Sequence, residues 1–420
     1  MIKAIAGTKD ILPEEIGKWK MLEELVGKVM RAYNYKEIRT PVFEETRLFS
    51  RGIGESTDIV SKEMYTFTDR SGTSVTLKPE MTASVVRALL EHSLDKRQQL
   101  NKLFYISPMF RQERPQAGRL RQFHQFGAEA LGSVNPALDA EMILIAYGVL
   151  EKLGLKNLSV KINSLGVPES REKYKSVLKD YLSGKLNDLS EESKKRFETN
   201  VLRIFDSKKE NDQKIMENAP RLLEHLDDES LEHFEKVKQI LLAAKVPFQV
   251  DSALVRGLDY YTHTTFEILS GSVGAQSALC GGGRYDLLVE QLGGRNAPGV
   301  GFAAGIERIL LACENENVFE VTEEKLDLYI VRLDKDENLE KKVFELAQFF
   351  RSSGFSTEAD YLSRSVKAQM REANRLNAKF VLMIGGEEYE RGGAVLKNME
   401  AGEQKEIELS DMEKLVDEIR

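Results

Sequence analysis

Only two cysteines, Cys280 and Cys313, occur in the 420 residues. Two thiols cannot supply a disulfide framework or a four-ligand zinc site, and their scarcity points to a reducing compartment. No apolar run approaches the length of a bilayer span, so no membrane partner is expected. Met1-Ile2-Lys3-Ala4-Ile5 is not followed by an apolar stretch of signal-peptide length, so a cytoplasmic location is expected. A Walker A sequence is missing, which excludes a P-loop nucleotidase. The glycines of Gly299-Val300-Gly301-Phe302-Ala303-Ala304-Gly305 are spaced wrongly for a dinucleotide fingerprint, and no acidic residue follows in a βαβ unit. Neither sign of charge is in large excess. The net charge of −8 favours solubility and leaves local basic patches free to meet phosphates.

The rest of the composition, 41% apolar and 30% charged, is ordinary for a soluble globular protein with room for two or three domains. The most informative stretch reads as two strands, 103–110 and 123–131, joined by a loop that carries Arg114, Arg119 and Arg121 with Gly118 as a flexible point. Period-two geometry puts Gln125 and Glu129 on one face. An arginine fork suits phosphate oxygens, and an amide with a carboxylate across from it suits the ammonium and donors of a small zwitterion. An ordinary amphipathic hairpin with solvated arginines fits the same residues.

Along the chain, Trp19, Leu22, Leu25, Val26, Val29 and Met30 recur at helical spacing over 19–33. Residues 40–44 read as an edge strand entered through Pro41. Leu77-Lys78-Pro79-Glu80-Met81-Thr82 leads into a helix over 83–92, where Glu80 would complement the dipole and cap free N–H groups. From about 170 to 241 the spacing is helical, as in an inserted helical domain whose charge runs are solvated faces. Residues 250–270 and 277–292 return to strand-like, glycine-rich sequence. An acidic stretch over 314–325 leads to a small α/β unit with strands at 327–331, 355–357 and 379–384 and helices at 339–351 and 363–376. Arg364, Lys367, Arg371 and Arg375 fall on one face of its second helix, as a solvated face or a phosphate-binding stripe.

The segment Phe110-Arg111-Gln112-Glu113-Arg114-Pro115-Gln116 through Arg119, Arg121, Gln122, Phe123, His124 and Gln125 resembles the second signature motif of class II aminoacyl-tRNA synthetases, in the form of the histidyl-tRNA synthetase family. Two further segments resemble motifs peculiar to that family, Leu254-Val255-Arg256-Gly257-Leu258-Asp259-Tyr260-Tyr261 and Leu279-Cys280-Gly281-Gly282-Gly283-Arg284-Tyr285-Asp286. The resemblance runs from Gly7 to the C-terminal helix. It implies an α+β fold: a class II antiparallel-sheet catalytic core over 1–325, with the helical insertion near the tRNA acceptor arm, and an anticodon-binding α/β domain over 326–420. It also implies a homodimer, formed through the first helix and the proline-entered strand.

The implied activity joins L-histidine to its tRNA through a histidyl-adenylate, with ATP consumed as substrate in the presence of Mg²⁺ and no tightly bound protein-ligated metal expected. By the resemblance Arg111 meets the α-phosphate, Arg308 the γ-phosphate, and Arg256 both the substrate carboxylate and the α-phosphate. Glu80, Thr82 and Gln125 would hold the ammonium, beside Met81 and Tyr260, while Glu129 and Tyr261 would match the imidazole and Gly281 to Gly283 would wall the pocket. Gln116 and Arg119 would meet the acceptor stem, and Arg364, Lys367 and Arg371 the rest of the tRNA. Many members carry Arg and Gly where this chain has Lys78 and Met81. The alternative is a catalytically silent paralogue, the histidine-sensing regulatory subunit of ATP phosphoribosyltransferase. That paralogue typically lacks the C-terminal domain and has eroded active-site residues, whereas both are retained here.

Overall fold

The computed structural model describes residues 1–54, 57, 59–255, 258–320 and 325–419. It divides into two compact units, 1–321 and 322–420. The first is built on an eight-stranded sheet in the order Lys36–Glu37, Asn101–Phe110, Gln122–Leu131, Gly299–Gly305, Ala278–Arg284, Thr262–Ser270, Leu158–Ser164, Gln249–Val250. The six long strands pair antiparallel, and a two-residue strand lies parallel at each edge. Such short edges offer little template for a foreign strand.

Alternation sorts the side chains of this sheet into two layers. Phe104, Phe126, Ala128, Ala130, Val300, Phe302 and Ala304 join one buried cluster with helices Pro13–Ala32, Pro136–Lys152, Asp228–Ala243 and Ile306–Asn315. Leu103, Tyr105, Met109 and Leu131 join the other, with helix Thr82–Glu91 and the helices that follow residue 164. Helix Pro136–Lys152 is apolar on nearly every side, as its place between the sheet and other helices requires, and it starts where Asn135 caps the Ala137 amide ahead of Pro136.

Three expectations shift on contact with the structure. The helix read from Trp19 begins at Pro13, because proline suits the first turn and Glu14 and Glu15 complement the dipole there. The proline-entered strand pairs only over Phe43–Glu45, at the edge of a separate three-stranded sheet with Ser74–Leu77 and Tyr65–Thr68. The helical segment expected over 170–241 splits in two: Pro168–Ser183, Glu191–Thr199 and Glu210–Glu217 form a group around the buried Asp212, while Phe234, Val237 and Leu241 of Asp228–Ala243 belong to the core layer. The Asp212 carboxylate accepts from the hydroxyls of Ser190, Ser193 and Ser207, each at 2.6 Å.

The second unit has a five-stranded sheet in the order Thr357–Ala359, Leu328–Arg332, Phe380–Ile384, Gly393–Asn398, Gln404–Glu408, parallel across the first three and antiparallel after. Leu328 and Ile330 face helix Glu337–Ser352, and Tyr329 and Val331 face helix Val366–Arg375. The last two strands are additions to the reading from sequence. Gln404–Glu408 is a charged, exposed edge without the apolar alternation that marks a strand.

Candidate functional site

Residues from four separate segments wall one cavity of about 240 Å³ in the first unit: 80–82, the ribbon 105–125, 258–285 and 301–308. Glu80, Met81, Thr82, Arg111, Arg119, Gln125, Tyr260, Tyr261 and Arg308 all line it. Arg256 lies outside the described residues.

Glu80 does what a carboxylate at a helix start ordinarily does, accepting from the amides of Thr82 at 2.7 Å and Ala83 at 2.9 Å. Burial holds its carboxyl above the usual range, against the opposing pull of those amides. Each oxygen still has capacity for a further donor. Among the described residues the buried side-chain oxygen of Gln125 has no hydrogen-bond partner, and it is an acceptor at the wall that a ligand's N–H would satisfy. Lys78 and Met81 meet at one residue: the Lys78 ammonium is 3.4 Å and the Met81 sulfur 3.4 Å from the Thr40 hydroxyl. Both side chains are buried, and desolvation pushes the Lys78 ammonium down to about 8.

The other end of the cavity is cationic. Arg111 donates to the Pro79 carbonyl at 3.0 Å and lies over the Phe123 ring at 5.2 Å. Arg308 donates to the Gly118 carbonyl at 2.7 Å and the Ala278 carbonyl at 2.9 Å, which fixes the start of helix Ile306–Asn315 against the ribbon loop. Burial lowers the affinity of Arg308 for its proton, and repulsion from Arg111 and Arg119 lowers it further. A polyanion between these groups would relieve that repulsion. Arg119 pairs with Glu113, and Glu63 lies 4.0 Å away. Gln116 is exposed, on a tight turn closed by its two backbone bonds with Arg119 at 3.0 and 2.9 Å.

Glu129 is not part of the cavity wall. It is fully buried directly behind it, where its carboxylate accepts from the hydroxyls of Thr82 at 2.8 Å, Tyr105 at 3.4 Å and Tyr285. Desolvation pushes its carboxyl up to about 8 against those three donors. Tyr260 packs between Tyr261 and Tyr285, with ring centroids at 4.7 and 5.6 Å. Tyr105, Tyr260 and Tyr285 are held far above the usual phenol range, first by burial and then by the negative charge around them.

Sequence reasoning missed several of these groups. Gly301 stands opposite Glu129 in the sheet, and a Cβ there would overlap the Glu129 carboxylate. Gly281 lines the cavity as expected, but Gly282 and Gly283 do not wall it; a side chain on them would strike the neighbouring strands at Gly301 and Thr264. Their smallness serves strand packing. Arg284 is wholly buried in an ion pair with Asp139 and Asp286, so it orders the turn that presents Tyr285.

The basic stripe of the second unit needs correction. The helix begins at Val366, with Ser365 in extended conformation at the position before it, so Arg364 precedes the helix and cannot share its face. Arg364 is bonded to Asp360 and lies 3.4 Å from Glu372, and Arg375 pairs with Glu372 at 2.5 Å. Lys367 and Arg371 are exposed, and among the described residues neither has an ion pair.

Comparison with known proteins agrees over the whole length. The histidyl-tRNA synthetase family matches residues 7–309, and the anticodon binding domain family matches 327–419. The histidine–tRNA ligase of Halothermothrix orenii is 49% identical over 419 residues, covering 99% of this chain and 100% of that protein. That of Desulforamulus reducens is 50% identical over 407 residues, covering 97% of this chain and 96% of that protein. The crystal structure of apo histidyl-tRNA synthetase from S. aureus matches with a TM-score of 0.83 at 40% identity, each chain covered in full. A Bacillus halodurans structure described as an ATP phosphoribosyltransferase regulatory subunit/histidyl-tRNA synthetase shares the fold at a TM-score of 0.64 and 22% identity, covering 89% of this chain.

Proposed function

The chain belongs to the histidyl-tRNA synthetase family, and we propose that it activates L-histidine with ATP and passes the histidyl group to the 3′ end of histidine tRNA. The observation that carries this reading is a single cavity with three arginines at one end and Glu80, Thr82, Gln125 and buried tyrosines at the other. A triphosphate suits the first end and a small zwitterion the second.

In the first step a histidine carboxylate oxygen attacks the α-phosphorus, and the bond to pyrophosphate breaks. The nucleophile is already ionised, so no general base is needed and the site has to supply alignment and charge. Arg111 is assigned to the α-phosphate, Arg308 to the γ-phosphate, and Arg256 to the carboxylate and α-phosphate. Glu267 and Glu307 line the same end of the cavity, and as hard oxygen donors they would hold Mg²⁺, which supplies charge neutralisation along the polyphosphate. Glu80, Thr82 and Gln125 are assigned to the ammonium, and Glu129 with Tyr261 to the imidazole. For Glu129 to accept from the ring N–H, one of its three hydroxyl donors must turn away. In the second step a terminal adenosine hydroxyl of the tRNA attacks the acyl carbon and AMP departs. Buried hydrogen-bonding sites can reject analogues by about 10⁴–10⁵, which makes a separate editing site unnecessary.

The regulatory-subunit alternative is not favoured: the curated relatives that match over the full length are histidine–tRNA ligases. Homodimerisation is supported by the exposed apolar side chains of Val42, Phe43 and Phe67 on the small sheet and beside it. Among the described residues no helix is long and apolar enough to cross a membrane, and the cytoplasm is the proposed location. For the tRNA, Gln116 and Arg119 are assigned to the acceptor stem, and Lys367 and Arg371 to phosphates met by the second unit.

A chain ending at Glu320 is expected to keep histidine-dependent ATP–pyrophosphate exchange while it stays dimeric by light scattering, because every assigned active-site residue lies earlier. Its charging of tRNA should fall sharply. Full charging by the truncated dimer would remove the second unit from tRNA recognition.

A further inference from the structure

The segment 258–261, which carries Tyr260 and Tyr261, is held from outside the sheet by the helical group after residue 164. Arg171, in the first turn of helix Pro168–Ser183, donates from Nη1 to the Tyr261 carbonyl at 2.8 Å. Asn200, just after helix Glu191–Thr199, donates to the Asp259 carboxylate at 3.2 Å. Helix Pro168–Ser183 supplies Tyr174 and Leu178, and the short 3-10 helix Val201–Asp206 supplies Leu202, to the buried cluster that contains Tyr260, Tyr261 and Tyr285. Around the Arg171 end, backbone bonds from Leu165 to the His263 carbonyl at 2.7 Å and from His263 to the Gly166 carbonyl at 2.9 Å lock the helix start to the strand that follows Tyr261. Another cavity, about 360 Å³, is walled by Arg171, Asn200, Asp259 and Tyr260, so Tyr260 borders both it and the active cavity.

We propose that Arg171 is a positioning residue for amino-acid activation: it sets the height of the Tyr260–Tyr261 backbone, so the seating of the helical group decides whether the amino-acid end of the active cavity is formed. Arg171 is no part of the wall of that cavity and touches no proposed substrate atom. Its guanidinium is partly desolvated, with Asp259 as a favourable charge, and a charged donor on a carbonyl is a strong, directional bond. Losing it frees Tyr261 to move away from the histidine ring while the arginines at the phosphate end, on the ribbon and on the strand–helix segment, keep their own anchors at Pro79, Gly118 and Ala278. A displacement on the order of 1 Å is enough to cost a large factor in a site that works by alignment. This inference rests on the assignment of Tyr261 to the amino-acid substrate.

The experiment is pyrophosphate exchange by the full-length protein with Arg171→Ala, Arg171→Lys and Asn200→Ala, varying histidine and ATP separately. For Arg171→Ala the expected result is a histidine KM raised about tenfold with the ATP KM within about twofold, and for Arg171→Lys recovery of most of the loss, since one donor is restored. Asn200→Ala, whose bond is longer and more exposed, should shift the histidine KM in the same direction by a smaller factor. Equal effects on both substrates, or wild-type histidine KM values in folded Arg171→Ala and Arg171→Lys, would overturn the proposal. If Arg171→Ala does not fold, the lysine and Asn200 variants decide by the same comparison. Absence of histidine-dependent exchange in the wild-type protein would instead count against the functional reading itself.

Discussion

Arg111→Ala is expected to slow histidine-dependent adenylate formation by about 10²–10³, the usual cost of removing one preorganised group from transition-state charge. The fold should survive. Arg111 makes one side-chain hydrogen bond, to the Pro79 carbonyl, lies over Phe123 and has a loose 3.8 Å ion pair with Glu113, which keeps Arg119 as its closer partner, so the structural loss is small beside the catalytic one. Pyrophosphate exchange, read together with thermal melting, separates these. A kcat close to wild type would take Arg111 out of the reaction, and a collapse of the melting temperature would make its role structural. The family resemblance leads to the same expectation for Arg256→Ala.

Glu129→Gln is expected to raise the histidine KM by about ten- to a hundredfold, the equivalent of the roughly 1–3 kcal/mol lost when a buried polar group is badly paired. The amide cannot accept with both its ends from Thr82, Tyr105 and Tyr285, and its NH₂ confronts donors. The ATP KM should stay near wild type. The pH dependence gives an independent check. The Glu129 carboxyl is raised to about 8, so between the ordinary value of 4.5 and about 8 the folded, empty protein keeps a proton that the unfolded chain has lost. That contribution to stability is full at low pH and is lost as pH rises through the folded value. Accepting from an imidazole N–H needs the ionised form, so the wild-type histidine KM should fall as pH rises toward about 8 and then level. Glu129→Gln should remove that slope. Equal losses for histidine and ATP, or an unchanged slope in the variant, would place Glu129 outside amino-acid recognition.

What could be read in advance follows from how local each signal is. The ribbon, its arginines and the shared face of Gln125 and Glu129 depend on neighbouring residues and strand period, and the sheet pairing has Asn101–Phe110 against Gln122–Leu131 in that arrangement. Glu80 capping its helix was legible for the same reason. The groups that escaped notice meet across the chain. Gly301 matters only because it lies opposite Glu129 in register, and Arg284 only because Asp139, 145 residues away, lies against it. No periodicity within a segment encodes such pairings. Arg364 was misplaced for a local reason: the helix starts at Val366, one turn later than charge spacing suggested, and Ser363, just ahead of it, has a positive φ of 51°. Strand Gln404–Glu408 was hidden because an edge strand protected by charge looks like a loop.

The most direct test of the central claim is exchange of pyrophosphate into ATP by the purified full-length protein, without tRNA, against each amino acid in turn. The expected result is exchange with L-histidine and none above background with the others. A folded protein that shows no exchange with histidine, or that exchanges as well with another amino acid, would contradict the assignment of this cavity to histidine activation.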